Sequence, residues 1–216
     1  MKLKTLRTWL VAVLATPMLA STSSAVLVIA GVTDGDLPNG IPKSIILQAA
    51  APVADLSMWG VGSATNGGGT DGVELTFGPG MLDTGDVIVI AGNSDSFDFF
   101  NNNFVLNFTL IQNSLAVVNG DDAVEVFLNG VMFDTYGDID SQTGTWTYAD
   151  GFATRTGAGV GAFDQANYTT IAGAFDGMNE QQHIDTFVTA GFTQIPEPSS
   201  ALFVLLGTVV CLRRRR

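Results

Sequence analysis

Apolar and polar side chains alternate along Val73-Glu74-Leu75-Thr76-Phe77, the period of a strand with one buried face. Val26–Ala30, Ser44–Gln48 and Val87–Ala91 are runs rich in β-branched residues, bounded by Gly, Asp, Asn or Pro, and strands are predicted there too. The clearest local pattern is Ala123-Val124-Glu125-Val126-Phe127-Leu128, then Asn129-Gly130, then Val131-Met132-Phe133. A two-residue Asn-Gly connection predicts a type I′ hairpin, because both residues tolerate positive φ. No segment carries a long, capped 3.6-residue period, and the best helical candidate is short, near Glu180–Thr186. Polar loops are predicted over Thr33–Gly40, Gly62–Gly72, Gly92–Asn103 and Asp138–Ala158. Gly67-Gly68-Gly69 marks a sharp or mobile connection. No fixed-period repeat and no internal linker divides the chain, so many short strands with frequent turns predict one all-β domain, a sandwich or a barrel.

The two ends read differently from the middle. Residues 1–25 have a basic start (Lys2, Lys4, Arg7), an apolar stretch from Trp9 to Ala15, and small residues beyond it. That order is the pattern of a secretory signal peptide. Ser23-Ser24-Ala25 suits signal peptidase and predicts a mature start at Val26; cleavage after Ala20 is the second choice. At the other end, Ile195-Pro196-Glu197-Pro198-Ser199-Ser200 leads into an apolar run from Ala201 to Leu212, then Arg213, Arg214, Arg215 and Arg216. The prolines hold the chain extended. The apolar run is short for a hydrocarbon core of about 30 Å, which snorkelling arginines would help it reach. The arginines are expected on the cytoplasmic side of the inner membrane, with the body across it.

Charge follows the same partition. The formal charge of the whole chain is −12. Residues 26–194 keep only Lys43 and Arg155 against twenty of the twenty-one acidic residues, which leaves −18. Such a body lacks the cations that displace phosphate counterions, so no nucleic-acid partner is expected. The single cysteine, Cys211, lies in the apolar run, so the body has no disulfide, thiolate metal site or thiol nucleophile.

Candidate chemistry in the body is sparse. His183 could serve as a general base or ligand, but no serine or cysteine signature frames it, and it is expected at the surface. Asp121 and Asp122 precede a strand, where neighbouring side chains diverge; turn chemistry is the expected role. Asp138-Ile139-Asp140 and Asp34-Gly35-Asp36 cluster hard oxygens of the kind calcium takes, without matching an EF-hand loop. Asp138 and Asp140 are the candidate calcium ligands. Trp59 and Trp146 are either core residues or stacking platforms for a carbohydrate. No catalytic residue is assigned, and an enzyme is not expected.

The tail resembles the PEP-CTERM sorting signal of Gram-negative bacteria, with Pro196-Glu197-Pro198 as its motif, the apolar segment as its transmembrane helix and the four arginines as its basic end. The resemblance implies recognition and cleavage near the motif by an exosortase, after transient insertion in the inner membrane. Within the body, Pro42–Leu47, Ala54–Gly60, Thr84–Ala91, Asn119–Val126 and Asn129–Gly137, taken in order, resemble the lamin-tail-like domain of bacterial exported proteins. Ala30 and Ile46 stand near positions where that pattern carries glutamates. This second resemblance implies an immunoglobulin-like β-sandwich over residues 26–194. In some relatives such a domain precedes a nuclease module, and no room for one remains before residues 195–216. Together they imply a non-catalytic module at the envelope or outside the cell, adhesive or matrix-associated, with a polysaccharide or surface protein as partner. An accessory subunit of an extracellular nuclease, or an atypical carboxylate-based hydrolase, are the alternatives.

Overall fold

The computed structural model describes residues 25–195. The predicted signal peptide up to Ser24 and the tail motif Pro196-Glu197-Pro198, its apolar run and Arg213–Arg216 lie outside the described residues. Ten strands form two sheets: β1 (Val26–Thr33), β2 (Ser44–Ala51), β3 (Trp59–Ala64), β4 (Leu75–Thr76), β5 (Val87–Ala91), β6 (Thr109–Gln112), β7 (Ala123–Leu128), β8 (Val131–Tyr136), β9 (Phe152–Arg155) and β10 (Tyr168–Ile171). The larger sheet has the order β10-β9-β1-β2-β5-β6 and the smaller β4-β3-β7-β8. All pairs are antiparallel except β5 and β6. A parallel neighbour needs a crossover, and helix α1 (Ser94–Asn103) supplies it.

The sheets pack face to face. Leu27, Ile29 and Val32 of β1, Ile45 and Leu47 of β2, and Ile88 and Ile90 of β5 meet Trp59 and Val61 of β3, Val124 and Val126 of β7 and Tyr136 of β8. The phase of β1 changes because a bulge between Ile29 and Gly31 inserts a residue, so that Val32 rather than Gly31 points inward. Strand β5 is apolar throughout because both of its faces are buried: Val89 and Ala91 belong to a second core on the outer side of the larger sheet. That core is roofed by α1 and by α2 (Glu180–Thr189), through Phe99, Phe100, Phe104, Ile184 and Phe187. The protein is thus a β-rich sandwich with a helical third layer. No helix among the described residues is long and apolar enough to cross a membrane.

The predicted hairpin is present. β7 and β8 pair across Asn129 (φ 53°) and Gly130 (φ 75°), both in the left-handed region. β5 spans the predicted residues, whereas only Leu75–Thr76 of the run Val73–Phe77 pairs as a strand. Helix α2 begins at the predicted Glu180 and continues to Thr189, its start fixed by a reciprocal capping box between Asn179 and Gln182. The predicted loop Gly92–Asn103 is corrected to α1. Asn93 caps it by accepting a hydrogen bond from Ser96 N at 2.7 Å, and Ser96, Phe99 and Phe100 form its buried stripe. The predicted loop Asp138–Ala158 likewise contains β9.

Candidate functional site

Both cations of the body are internal. The Lys43 side chain, 10 % exposed, pairs with Asp34, and its ammonium also donates to Val118 O at 2.7 Å and Asn119 Oδ1 at 3.2 Å. The Lys43 backbone N–H donates to Ser96 Oγ at 2.9 Å. One residue thereby ties the β1–β2 connection to α1 and to the loop before β7. Burial pushes the Asp34 carboxyl above its ordinary value, opposed by the hydrogen bond and charge of Lys43.

Arg155 works at the other end of the larger sheet. β9 pairs with β1 only through Gly31–Thr33, so the Ile29 N–H and C=O lie beyond that ladder. Asp134 Oδ2 accepts from Ile29 N at 2.9 Å, and Arg155 Nε donates to Ile29 O at 2.7 Å. Arg155 also pairs with Asp134, donates to Tyr168 Oη and lies 4.6 Å over the Tyr168 ring. Asp134 stands opposite Val126 in the smaller sheet and so points between the sheets. The group is a polar clamp from one sheet to the other. Burial raises the Asp134 carboxyl, with the Ile29 N–H and Arg155 opposing. With Lys43 and Arg155 both engaged, residues 26–194 keep no unpaired Lys or Arg to set against their surface carboxylates.

Asp122 performs the expected turn chemistry and reaches further. Its carboxylate, on a residue 1 % exposed, accepts from Asn119 N and from Asn66 N, each at 2.9 Å; the Tyr148 hydroxyl donates to its carbonyl at 3.1 Å. Asp122→Ala would remove two part-buried, charge-assisted hydrogen bonds to backbone N–H groups, and we expect it to lower unfolding free energy by about 1–3 kcal/mol in urea titrations. Asp121 has no such role.

Asp138 and Asp140 sit in the turn after β8. Asp138 Oδ1 accepts from Asp140 N at 3.1 Å, and the turn is joined to the loop after β3 through Gly69 N to Ile139 O and Gln142 Nε2 to Asn66 O. Among the described residues no three His, Cys, Asp or Glu side chains are placed to hold one metal ion. Asp34 is committed to Lys43, and Asp36 Oδ2 accepts from Gly177 N at 2.9 Å.

The expectation for His183 is corrected: it is fully buried. It occupies the inner stripe of α2 beside Ile184 and Phe187 and stacks on Phe175 with centroids 4.4 Å apart. Nδ1 bonds the Asn179 carbonyl at 3.0 Å, so that nitrogen carries the proton, and Nε2 accepts from Asp36 N at 3.5 Å. Both nitrogens are turned to backbone partners in the interior. Trp59 and Trp146 are core residues, 1 % and 4 % exposed, and offer no stacking face.

Several hollows of about 410–520 Å³ lie on the described residues, and two of them adjoin residues already discussed. An apolar groove of about 430 Å³ runs between the outer face of the larger sheet and α2, lined by Ile46, Phe152, Phe175, Met178 and Phe187. A more polar hollow of about 480 Å³ lies beside the candidate calcium turn, lined by Asp138, Thr143, Thr145, Phe163 and Gln165. The groove was not legible in sequence because its wall is built from α2 and β9, one predicted only in part and the other read as loop. The clamp was equally hidden: that Lys43 and Arg155 are the body's only cations was the one signal that pointed to them. Comparison with family models, with curated proteins and with solved structures finds no match to this chain.

Proposed function

We propose that the chain is an exported, non-catalytic β-sandwich module, delivered by an exosortase-type system to the cell envelope or the extracellular matrix. The sandwich is of the immunoglobulin-like, lamin-tail type. The observation that carries this reading is the three-part tail: Pro196-Glu197-Pro198, an apolar run, and Arg213 to Arg216 at the end of the chain. The charge pattern supports it. Every Lys and Arg is either in the two terminal segments or paired internally, and the anionic outer surface opposes approach to nucleic acid. Its role there is adhesive or matrix-associated, with a polysaccharide or surface protein as partner.

Processing tests the reading. In a host that carries an exosortase, intact-mass measurement should find the mature protein without its apolar run and arginines. A variant with Pro196→Ala and Glu197→Ala together should keep them and accumulate in the inner membrane. Retention of the four arginines by both proteins in that host would overturn the proposal.

A further inference from the structure

Glu125 occupies an unusual position for a carboxylate. It lies in the middle of β7, between Gly62 of β3 and Thr135 of β8. Its neighbours Val124 and Val126 face the core between the sheets, so Glu125 points to the outer face of the smaller sheet, where water would normally solvate it. It is nevertheless only 1 % exposed. Among the described residues neither carboxylate oxygen accepts a hydrogen bond.

The cover is the segment from Thr65 to Glu74, which folds back across β3. Two glycines let it come close. A Cβ on Gly62 would lie 2.1 Å from Gly72 O, and one on Gly60 would lie 2.5 Å from a Val73 methyl. Asn66 is anchored, its N–H donating to Asp122 Oδ1 at 2.9 Å and its carbonyl accepting from Gln142 Nε2 at 2.7 Å, but beyond it few bonds hold the segment. Gly69 N donates to Ile139 O at 2.9 Å, Glu74 N donates to Val61 O at 3.0 Å, and Ser63 N donates to Glu74 Oε2 at 2.6 Å. The segment has four glycines, Gly67, Gly68, Gly69 and Gly72, and three of them have positive φ.

The charged groups facing Glu125 are Asp71 and Glu74, both from the cover. Strands β3 and β8 contribute Gly62 and Thr135, which carry no charge. Among the described residues no cation is at hand, because Lys43 and Arg155 are held by Asp34 and Asp134. The Thr70 side chain is the one neighbour that favours the charged form; burial and the two like charges oppose it.

We propose that the segment Thr65–Glu74 is a proton-operated latch, closed over a neutral Glu125 carboxyl and opened when that carboxyl ionises. A buried carboxylate with the Thr70 hydroxyl as its one nearby donor and no counter-ion among the described residues is disfavoured, and swinging the cover away returns it to water. The direction follows from linkage. Glu125 is harder to ionise closed than open, so the closed form is favoured below the ordinary carboxylate range and loses ground as pH rises above it. Opening uncovers Phe127, which shares the outer face with Glu125, and detaches the two-residue strand β4 from β3. The free β3 edge and the bared Phe127 form a surface available only at higher pH.

Hydrogen exchange on the full-length chain tests this, with a chelator present and rates corrected for the intrinsic effect of pH. From pH 5 to pH 8, amides of Gly69 to Glu74 should lose at least tenfold protection, while amides of β1 and β2 do not. Glu125→Gln should abolish that pH dependence. Asp71→Asn removes one facing charge, keeps Glu125, and should retain more protection at pH 8 than the wild type. Identical pH profiles for wild type and both variants would overturn the latch. So would a wild-type cover that stays closed at pH 8 with calcium and opens only on chelation, since a cation rather than a proton would then balance Glu125.

Discussion

Arg155→Met should lower the unfolding free energy by about 3–5 kcal/mol, a large part of the roughly 5–15 kcal/mol that holds a domain of this size together. The substitution keeps the aliphatic stem and removes the charge. It leaves Asp134 between the sheets with only the Ile29 N–H and a Gly161 backbone donor, and strands the Ile29 carbonyl beyond the end of the β1–β9 ladder. Asp134→Leu in the same chain should recover part of the loss, because removing both charges removes the uncompensated one. A double-mutant cycle in urea gives the coupling directly. The clamp reading fails if Arg155→Met costs less than about 1 kcal/mol, the range of an exposed ion pair.

How legible such a molecule is depends on whether a residue's environment is made locally. The β7–β8 hairpin could be read because Asn129 and Gly130 determine their own turn and the flanking alternation sets the faces. Strand β5 could be read because it is buried on both sides and needs no alternation. α1 could not. Ser94-Asp95-Ser96 and Asn101-Asn102-Asn103 are weak helix formers, and the helix exists because Phe99, Phe100 and Phe104 find Phe187 and Phe192 from the far end of the domain. His183 was misplaced for a similar reason. Two glutamines precede it in sequence, but only one helical face matters, and that face carries Ile184 and Phe187 as well. At Glu125 the alternation of β7 puts the side chain on the outer face, since Val124 and Val126 face the core. The cover that buries it comes from a glycine-rich segment more than fifty residues earlier, and no pattern within β7 records that contact.

The second large effect is expected in the helical layer. Phe100 is fully buried and touches Phe99, Phe104, Phe187 and Phe192 at ring-centroid distances from 5.2 to 6.1 Å. Phe100→Ala removes the centre of that cluster and should cost about 3–5 kcal/mol. The loss should be unevenly distributed, because this core and the one between the sheets lie on opposite faces of β2 and β5. Optical probes can separate the two. The chain has three tryptophans, and in a Trp9→Phe background the emission comes from Trp59 and Trp146 alone, both in the inter-sheet core. Helical ellipticity instead reports α1 and α2. In the Phe100→Ala variant the ellipticity transition should precede the fluorescence transition on heating, whereas the parent protein should lose both together. Coincident transitions in the variant, shifted by the same amount, would mean that the helices and the sandwich unfold as one unit. The packing of β5 on both faces would then be enough to couple the two cores.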